Sequence, residues 1–312
     1  MADRTIFGVM TRNLYLGADL APVLRAQSER EFVAATTAGW AMVRKNDFRA
    51  RAEALAAEIA ACGPALVGLQ EACIWRTQAA PGEPSRIAWD YVEDLVAALA
   101  RLGISYAPVA QVELFDFQAP TLDGEQVRMT DRGVILARQD LEVANAAGAL
   151  YQQLMPLRVV GQTLPLKRGR AAIDAKVGGA WVRFVSTHLE GFDPDTRDRQ
   201  AAELAAELAS ETRPVIVVGD LNSPPGTGGA AVLTRAGFRD TWTDPAGATC
   251  CFGEDLGVPG GSFSERIDYV LIRGPLDVRK ALVTGHDPPL RSGGLWPSDH
   301  AGVFAELRIG CG

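Results

Sequence analysis

Seven short apolar runs, most of them rich in β-branched residues, constrain the fold of this chain more than any other feature. Each run is four or five residues long and is followed or preceded by polar residues, which is typical of strands. The run at 181–185 alternates in polarity, as expected for a strand with one buried face. The predicted strands occupy residues 7–10, 65–69, 133–137, 181–185, 215–218, 269–272 and 303–307.

Amphipathic helices are predicted between these strands. Apolar residues recur at steps of three and four residues within 48–62, 92–102 and 201–208. Gly63-Pro64 ends the first helix, and Asp193-Pro194 leads into the third. Strands mixed with amphipathic helices imply an α/β fold in which helices cover sheets. The order is not a strict strand–helix alternation, which argues against a parallel Rossmann sheet and favours one α/β domain spanning residues 1–312.

The remaining segments are predicted as loops or are left open. Residues 73–88, 117–131 and 253–265 are rich in Pro, Gly and polar residues, so they are predicted as loops around a cleft. Residues 17–45 are apolar but poorly periodic, which is compatible with short helices forming a lid or with simple packing.

Composition excludes some classes of protein. An apolar fraction of 47% with 22% charged residues is that of a soluble globular protein. The net charge of −7 provides no general attraction to nucleic acid or anionic membrane. No transmembrane run or signal peptide is recognisable, so a cytoplasmic location is favoured over secretion. The five cysteines form no C-x-x-C pair and are interpreted as incidental thiols, with a Cys62–Cys73 bridge as the alternative for an exported protein.

Polar residues with catalytic potential lie at the ends of six predicted strands. Two of the three histidines are among them, whereas His286 has no such context and is interpreted as a loop residue. The six segments are Thr11-Arg12-Asn13, Gln70-Glu71, Thr187-His188-Leu189-Glu190, Gly219-Asp220-Leu221-Asn222, Arg266-Ile267-Asp268 and Ser298-Asp299-His300.

These residue types suit one kind of chemistry. Carboxylate and amide oxygens without thiolates favour a hard cation, Mg²⁺ or else Mn²⁺ or Ca²⁺. Histidines and further carboxylates can transfer protons and stabilise negative charge on oxygen. Metal-dependent hydrolysis of a phosphate ester needs this combination. The motifs of P-loop proteins, α/β-hydrolases and zinc metalloproteases are absent from the sequence.

In this order, the segments resemble the signature motifs of the endonuclease/exonuclease/phosphatase superfamily, also called DNase I-like. The resemblance runs from Asn13 to His300. It implies a four-layered α/β sandwich, two packed sheets flanked by helices. It also implies that Asn13 and Glu71 hold the metal, with Asp299 close to it.

The same resemblance assigns the catalytic roles. It implies that Asp220 activates the attacking water and that Asn222 contacts the scissile phosphate. His300 would contact a phosphoryl oxygen, with Asp268 orienting its ring. His188 would be either a second phosphate-binding histidine or the acid that protonates the leaving group.

The basic segment Lys167-Arg168-Gly169-Arg170 has two interpretations, a solvated turn and a phosphate clamp. In the second, Arg170 is expected to point inward, with Lys167 and Arg168 as further substrate-binding residues. Arg132 is a lesser candidate.

The substrate is a phosphate ester, most simply a phosphodiester, whose identity the sequence leaves open. The alternatives are a nuclease acting on DNA or RNA, a sphingomyelinase-like phospholipase C and a non-catalytic binding relative. Charge does not favour nucleic acid, transient membrane contact stays open, and no obligate protein partner is implied.

Overall fold

Two β-sheets packed face to face, with helices on both outer faces, form the four-layered α/β sandwich that the sequence predicted. The computed structural model describes residues 6–242 and 247–310. The helices are α1 (Ala21–Leu24), α2 (Glu29–Lys45), α3 (Phe48–Cys62), α4 (Tyr91–Arg101), α5 (Pro194–Leu208) and α6 (Gly228–Arg235). The strands are β1 (Ile6–Asn13), β2 (Leu66–Gln70), β3 (Ile74–Gln78), β4 (Arg86–Asp90), β5 (Tyr106–Pro120), β6 (Gln126–Arg138), β7 (Glu142–Leu150), β8 (Met155–Val159), β9 (Gln162–Leu166), β10 (Gly169–Val177), β11 (Ala180–His188), β12 (Val215–Asp220), β13 (Arg239–Asp240), β14 (Asp268–Arg273), β15 (Leu276–Thr284) and β16 (Gly302–Ile309).

Both sheets are mixed. The first has the strand order β15-β16-β1-β2-β6-β3-β4, with β5 also paired to β6. The second has the order β13-β14-β12-β11-β10-β7, and β8 and β9 form a separate hairpin. In the first sheet β1 and β2 are parallel neighbours, and in the second sheet β11 and β12 are parallel neighbours. The two strands of each pair therefore end at the same edge of their sheet.

The central strands are apolar throughout because both of their faces are buried. Val9 packs between the sheets, while the adjacent Met10 packs under the helices of the first sheet. Val217 packs against α5 and α6, and Val218 faces the other sheet. This explains the continuous apolar runs, since strands covered on both sides do not alternate in polarity.

The two sheets approach closely where Gly68 lies in β2. A Cβ atom at this position would collide with the side chain of Val218 and lie 2.7 Å from Oγ of Ser186. Glycine is therefore required here for the packing of β2 against β11 and β12.

The three predicted helices are confirmed as α3, α4 and α5, and their caps explain their bounds. Asp90 accepts hydrogen bonds from the backbone N–H of Val92 and Glu93 at the start of α4, and Asp193 accepts one from Thr196 in α5. Helix α3 ends at Gly63 in the left-handed conformation, with φ of 59°.

Two of the loop predictions were wrong. Residues 73–88 contain β3 and the start of β4, and residues 117–131 contain the end of β5 and the start of β6. Cross-strand polar pairs stabilise these strands, as where Arg128 binds Asp116 and Arg76 donates to Thr130 at 2.8 Å. Their polar residues suggested loops because such pairing cannot be read along the chain.

The structure also describes the third predicted loop and the segment 17–45 that the sequence left open. Residues 253–265 contain no helix or strand, as predicted. Residues 17–45 form α1 and α2, and Thr36, Trp40 and Val43 are the buried residues of α2. No helix in the described part of the chain is both long and apolar enough to span a membrane.

Candidate active site

The ends of six strands meet at one edge of the sandwich. Strands β1, β2, β11 and β12 end there, and β14 and β16 begin there. His188 lies opposite Asp220 in the parallel pair β11–β12, and Asp220 lies opposite Asp268 in the pair β12–β14. A cleft with a volume of about 370 Å³ opens at this edge. The predicted site residues that line it are Glu71, Arg168, His188, Asp220, Asn222, Asp299 and His300.

Unusual backbone conformations present two of these side chains. Glu71 has φ of 53° and Asn222 has φ of 49°, both in the left-handed region that non-glycine residues rarely adopt. Gly219 precedes Asp220 with φ of 151°, and a Cβ atom there would collide with the carbonyl oxygen of Thr187. Strain of this kind is concentrated at functional sites in proteins.

Asn13 links the two sheets across the base of the cleft. Its Nδ2 donates to Oε1 of Glu71 at 3.0 Å and to Oδ2 of Asp220 at 3.2 Å. Its Oδ1 accepts from the backbone N–H of Tyr15 at 2.9 Å, and Oε2 of Glu71 accepts from that of Leu16 at 2.7 Å. The structure therefore brings Asn13, Glu71 and Asp220 together although they are far apart in the sequence.

The carboxylates of the cleft repel one another. Burial, together with the charges of Asp268 and Glu71, raises the pKa of Asp220 to about 7. Burial and the charge of Glu71 raise the pKa of Asp299 to about 6. Several buried carboxylates close together beside an amide are a donor set that fits a hard divalent cation, so the residues present fit the implied metal.

His300 is held in its charged form by Asp268. Its Nδ1 lies 2.9 Å from Oδ2 of Asp268, and its Nε2 lies 3.9 Å from Oδ2 of Asp220. Burial alone would lower the pKa of His300, but the charges of Asp268 and Asp299 outweigh it and the pKa is raised well above its usual value. An imidazolium in this position can donate a hydrogen bond from Nε2 into the cleft.

His188 has the opposite character. Burial and the charge of Arg168 lower its pKa well below the usual value, so the ring is neutral. Nη1 of Arg168 lies 3.1 Å from Nδ1, which must therefore accept, and the remaining proton sits on Nε2. Nε2 lies 3.4 Å from Oδ2 of Asp220. A neutral ring with this tautomer can donate a hydrogen bond but is a poor acid.

The basic segment reaches the cleft through Arg168 rather than Arg170. Arg170 does not point inward, because its guanidinium pairs with Glu207 and lies over the ring of Tyr151. Lys167 is half-buried and does not line the cleft. Arg168 directly precedes β10, and Arg170 is the second residue of this strand. Arg168 contacts His188 at the cleft, whereas Arg170 contacts Glu207 and Tyr151, so contacts with other elements decide which side chain reaches the cleft.

Two other acidic residues of the site were missed by the sequence analysis. Asp131 lines the cleft, and Glu190 is fully buried nearby; their carboxylates lie 3.9 and 3.7 Å from the guanidinium of Arg168. Glu190 was visible as the last residue of Thr-His-Leu-Glu, whereas nothing in the sequence marked Asp131. Arg132, its neighbour, contacts Asp90 and the carbonyl of Ala72 instead.

The cysteines also differ from the prediction. Cys250 and Cys251 line the cleft and are joined as a disulfide between adjacent residues. Cys62 and Cys73 are free, so the alternative bridge between them was wrong. Cys311 lies outside the described residues. His286 lies in the loop after β15, as predicted, with its side chain 48% exposed.

Part of the cleft wall is apolar. It is formed by Leu16, Leu20, Leu24, Phe115, Met129 and Leu166. A smaller apolar cavity of about 40 Å³ shares four of these residues and extends to Trp40 and Trp75. Helix α1, in the segment that the sequence left open, contributes Leu24 to this wall. Among the described residues, Arg168 is the one lysine or arginine that lines the cleft.

The family model of the endonuclease/exonuclease/phosphatase family matches residues 40–300 of the chain. The chain belongs to this family. Members of the family generally hydrolyse phosphoester bonds. The site residues from Glu71 to His300 lie within the matched residues, whereas Asn13 precedes them. No curated protein matches the chain.

Solved structures with this fold cover nearly the whole chain. A family member from Bacteroides thetaiotaomicron is 16% identical with a TM-score of 0.63, over 99% of this chain and 100% of that one. Truncated TDP2 from Caenorhabditis elegans is 18% identical with a TM-score of 0.54, over 97% of both chains. A mannosyl-6-phosphatase from B. thetaiotaomicron is 16% identical with a TM-score of 0.59, over 96% of this chain and 99% of that one. At these identities the likeness confirms the DNase I-like fold alone.

Proposed function

We propose that this family member is a divalent-metal-dependent phosphodiesterase. The observation that carries the proposal is the convergence of Glu71, Asp220 and the His300–Asp268 pair in one cleft. In the proposal, Glu71 and Asn13 hold Mg²⁺ or a similar cation, with Asp299 beside it. A bound cation would neutralise charge on the phosphoryl oxygens.

The side chains of the protein supply the proton transfer. Asp220 accepts a proton from the attacking water, and a pKa of about 7 is suited to a base that works near neutral pH. The charged His300 donates from Nε2 to a phosphoryl oxygen, and Asp268 holds its ring through Nδ1. Asn222 contacts the same phosphate.

His188 is better suited to donate a hydrogen bond than to protonate a leaving group. Arg168 occupies its Nδ1, and Nε2 carries the proton that points toward Asp220. In the proposal His188 therefore orients Asp220 through Nε2, and the leaving group takes its proton from solvent.

The cleft favours a compact phosphodiester with an apolar alcohol over a polynucleotide. A nuclease groove needs several basic contacts to successive phosphates. Here the described lining contains one arginine and no lysine, and part of it is apolar. The structural neighbours do not decide between these classes, because a shared fold does not fix the substrate.

The metal dependence is tested with bis(p-nitrophenyl) phosphate in Mg²⁺, in Mn²⁺ and in EDTA. We expect turnover with a metal, none in EDTA, and a loss of at least about 100-fold in Glu71→Gln. Turnover that persists in EDTA would contradict metal dependence, and full activity of Glu71→Gln would contradict the assigned site.

The substrate class is tested with methyl and octyl 4-nitrophenyl phosphate and with plasmid DNA. We expect a higher kcat/KM for the octyl ester, and we expect Phe115→Ala to remove the preference. Ile87→Ala, which removes an exposed apolar side chain outside the cleft lining, is the matched control. Efficient cleavage of DNA with no preference for the octyl ester would favour the nuclease.

A further inference from the structure

A second group of donor atoms lies beside Nε2 of His300. Sγ of Cys250 is 3.5 Å from Nε2 of His300. The sulfurs of Cys250 and Cys251 and this nitrogen all lie within 4.8 Å of one another. Cys250 is fully buried, whereas Cys251 is exposed. The proposed reaction uses neither cysteine.

The backbone fixes this arrangement. The backbone of Cys250 pairs with that of His300 as an isolated antiparallel β-bridge. The N–H of Ala301 donates to the carbonyl of Thr249 at 2.6 Å. The N–H of Phe252 donates to the carbonyl of Asp299 at 3.1 Å. The cysteine segment therefore runs beside the start of β16 and keeps the Cys250 sulfur against the imidazole.

Two sulfurs and an imidazole nitrogen favour a different cation from the oxygen-rich half of the cleft. Thiolates and imidazole are the ligands of Zn²⁺, whereas carboxylates and amides favour Mg²⁺. Ordinary Zn–S and Zn–N bond lengths in a tetrahedral site place sulfur and nitrogen about 3.6 Å apart. The observed separation of 3.5 Å already matches this value.

We propose that, once reduced, Cys250 and Cys251 bind a thiophilic divalent cation such as Zn²⁺ together with Nε2 of His300. Both thiols and the imidazolium Nε2 release their protons to solvent on binding. This inference rests on the proposed function for its consequence: the cation occupies the nitrogen that donates to the phosphoryl oxygen, so Zn²⁺ inhibits the reduced enzyme. The disulfide form has no thiolates to offer and escapes inhibition.

Cobalt binding tests the site without using activity. The disulfide is reduced with a water-soluble phosphine, which takes up the oxygen of one water and is oxidised to its oxide as two thiols form. Co²⁺ is then added in the presence of excess Mg²⁺. We expect a thiolate-to-cobalt charge-transfer band at one equivalent per chain, which Zn²⁺ abolishes by displacement.

Variants assign the band. Cys251→Ser should lose at least about half of the band's intensity, because only the Cys250 thiolate remains, whereas Cys62→Ser and Cys311→Ser should retain the full band. Protein oxidised with diamide should lack the band. Absence of the band in the reduced wild type, or its persistence at full intensity in a Cys251→Ser variant that unfolds at the wild-type temperature, would overturn the proposal.

Inhibition is measured separately, relative to the uninhibited rate of each protein. Zn²⁺ at a concentration that inhibits the reduced wild type about 10-fold should leave Cys251→Ser and the oxidised wild type within about 2-fold of their own rates. A band without turnover in any form would refute the proposed function and leave the cation site intact. Turnover with no band would refute the cation site and leave the proposed function intact.

Discussion

The buried guanidinium groups of Arg12 and Arg51 lie next to the carboxylates of the cleft, but the arginines and the carboxylates differ in how well their charges are paired. Arg51 is fully buried and donates to the carbonyls of Asn46, Leu14, Tyr15 and Pro297, at 2.6 to 3.2 Å. Arg12 donates to Oε2 of Glu58 at 3.1 Å and also to the carbonyl of His300.

Among the described residues, Asp220 and Asp299 form no ion pair with a lysine or arginine. Burial raises the pKa values of both, and the charges of nearby carboxylates raise them further. Oδ1 of Asp268 is also buried, with no hydrogen-bond partner in the part of the chain that the structure describes. The arginines thus stabilise the backbone segments next to the site. The carboxylates of the site retain negative charge that a bound cation would neutralise. We expect substitutions in the two regions to have opposite effects on activity and stability.

The largest expected effect is the loss of activity in Asp220→Asn. Asparagine is nearly the same size but cannot accept the proton of the attacking water, so kcat/KM should fall about 1000-fold. Phosphodiester hydrolysis with saturating Mg²⁺ measures this loss, with circular dichroism as the control for folding. A loss of less than about 10-fold would refute the role of Asp220 as the base.

The second effect is a loss of stability in Arg51→Met. Methionine retains the apolar part of the side chain but leaves four buried carbonyl oxygens without their donor, which should lower the free energy of unfolding by about 3 kcal/mol. Urea unfolding measures it. Arg49→Met is the matched control on the same helix, because Arg49 is 62% exposed and pairs with Asp94 at the surface. The comparison fails if the two variants lose the same stability.

The third effect separates the two arginines of the basic segment. Arg168→Ala should lower kcat/KM about 30-fold, because it removes a charged donor from His188 and from the cleft. Arg170→Ala should change kcat/KM by less than about 3-fold, since its partners Glu207 and Tyr151 lie outside the cleft. Equal losses in both variants would show that the orientation of Arg170 does not matter for substrate binding.

The smallest effect concerns the stability of metal-free Asp220→Asn. An aspartate with a folded pKa of about 7 and an ordinary unfolded pKa holds its proton more tightly when folded. Stability therefore falls as the pH rises through the window between these two values. The variant lacks this penalty, so in EDTA it should be at least about 1 kcal/mol more stable than the wild type at pH 8 and should have no advantage at pH 4. Urea unfolding at both pH values tests the sign, and a less stable variant at pH 8 contradicts it.

Much of the fold was predictable because local chemistry decides it. Each central strand is buried on both faces, so its residues are apolar up to the strand end, as in residues 215–218 of β12. Helices α3 to α5 carry their own stripes and caps. By contrast, β3 and β5 were mistaken in part for loops, because their polar residues are stabilised by pairs such as Arg128 and Asp116.

The sequence by itself determined the family, the order of the motifs and the types of residue at the strand ends. These properties are local, since a strand end needs only its own few residues to be recognised. Only the tertiary structure decided that Arg168 rather than Arg170 reaches the cleft, that His188 is neutral while His300 is charged, and that Cys250 lies against His300. Each of these depends on burial and charge contributed by segments distant in the chain, because a pKa or a side-chain direction is set by what surrounds the group in space.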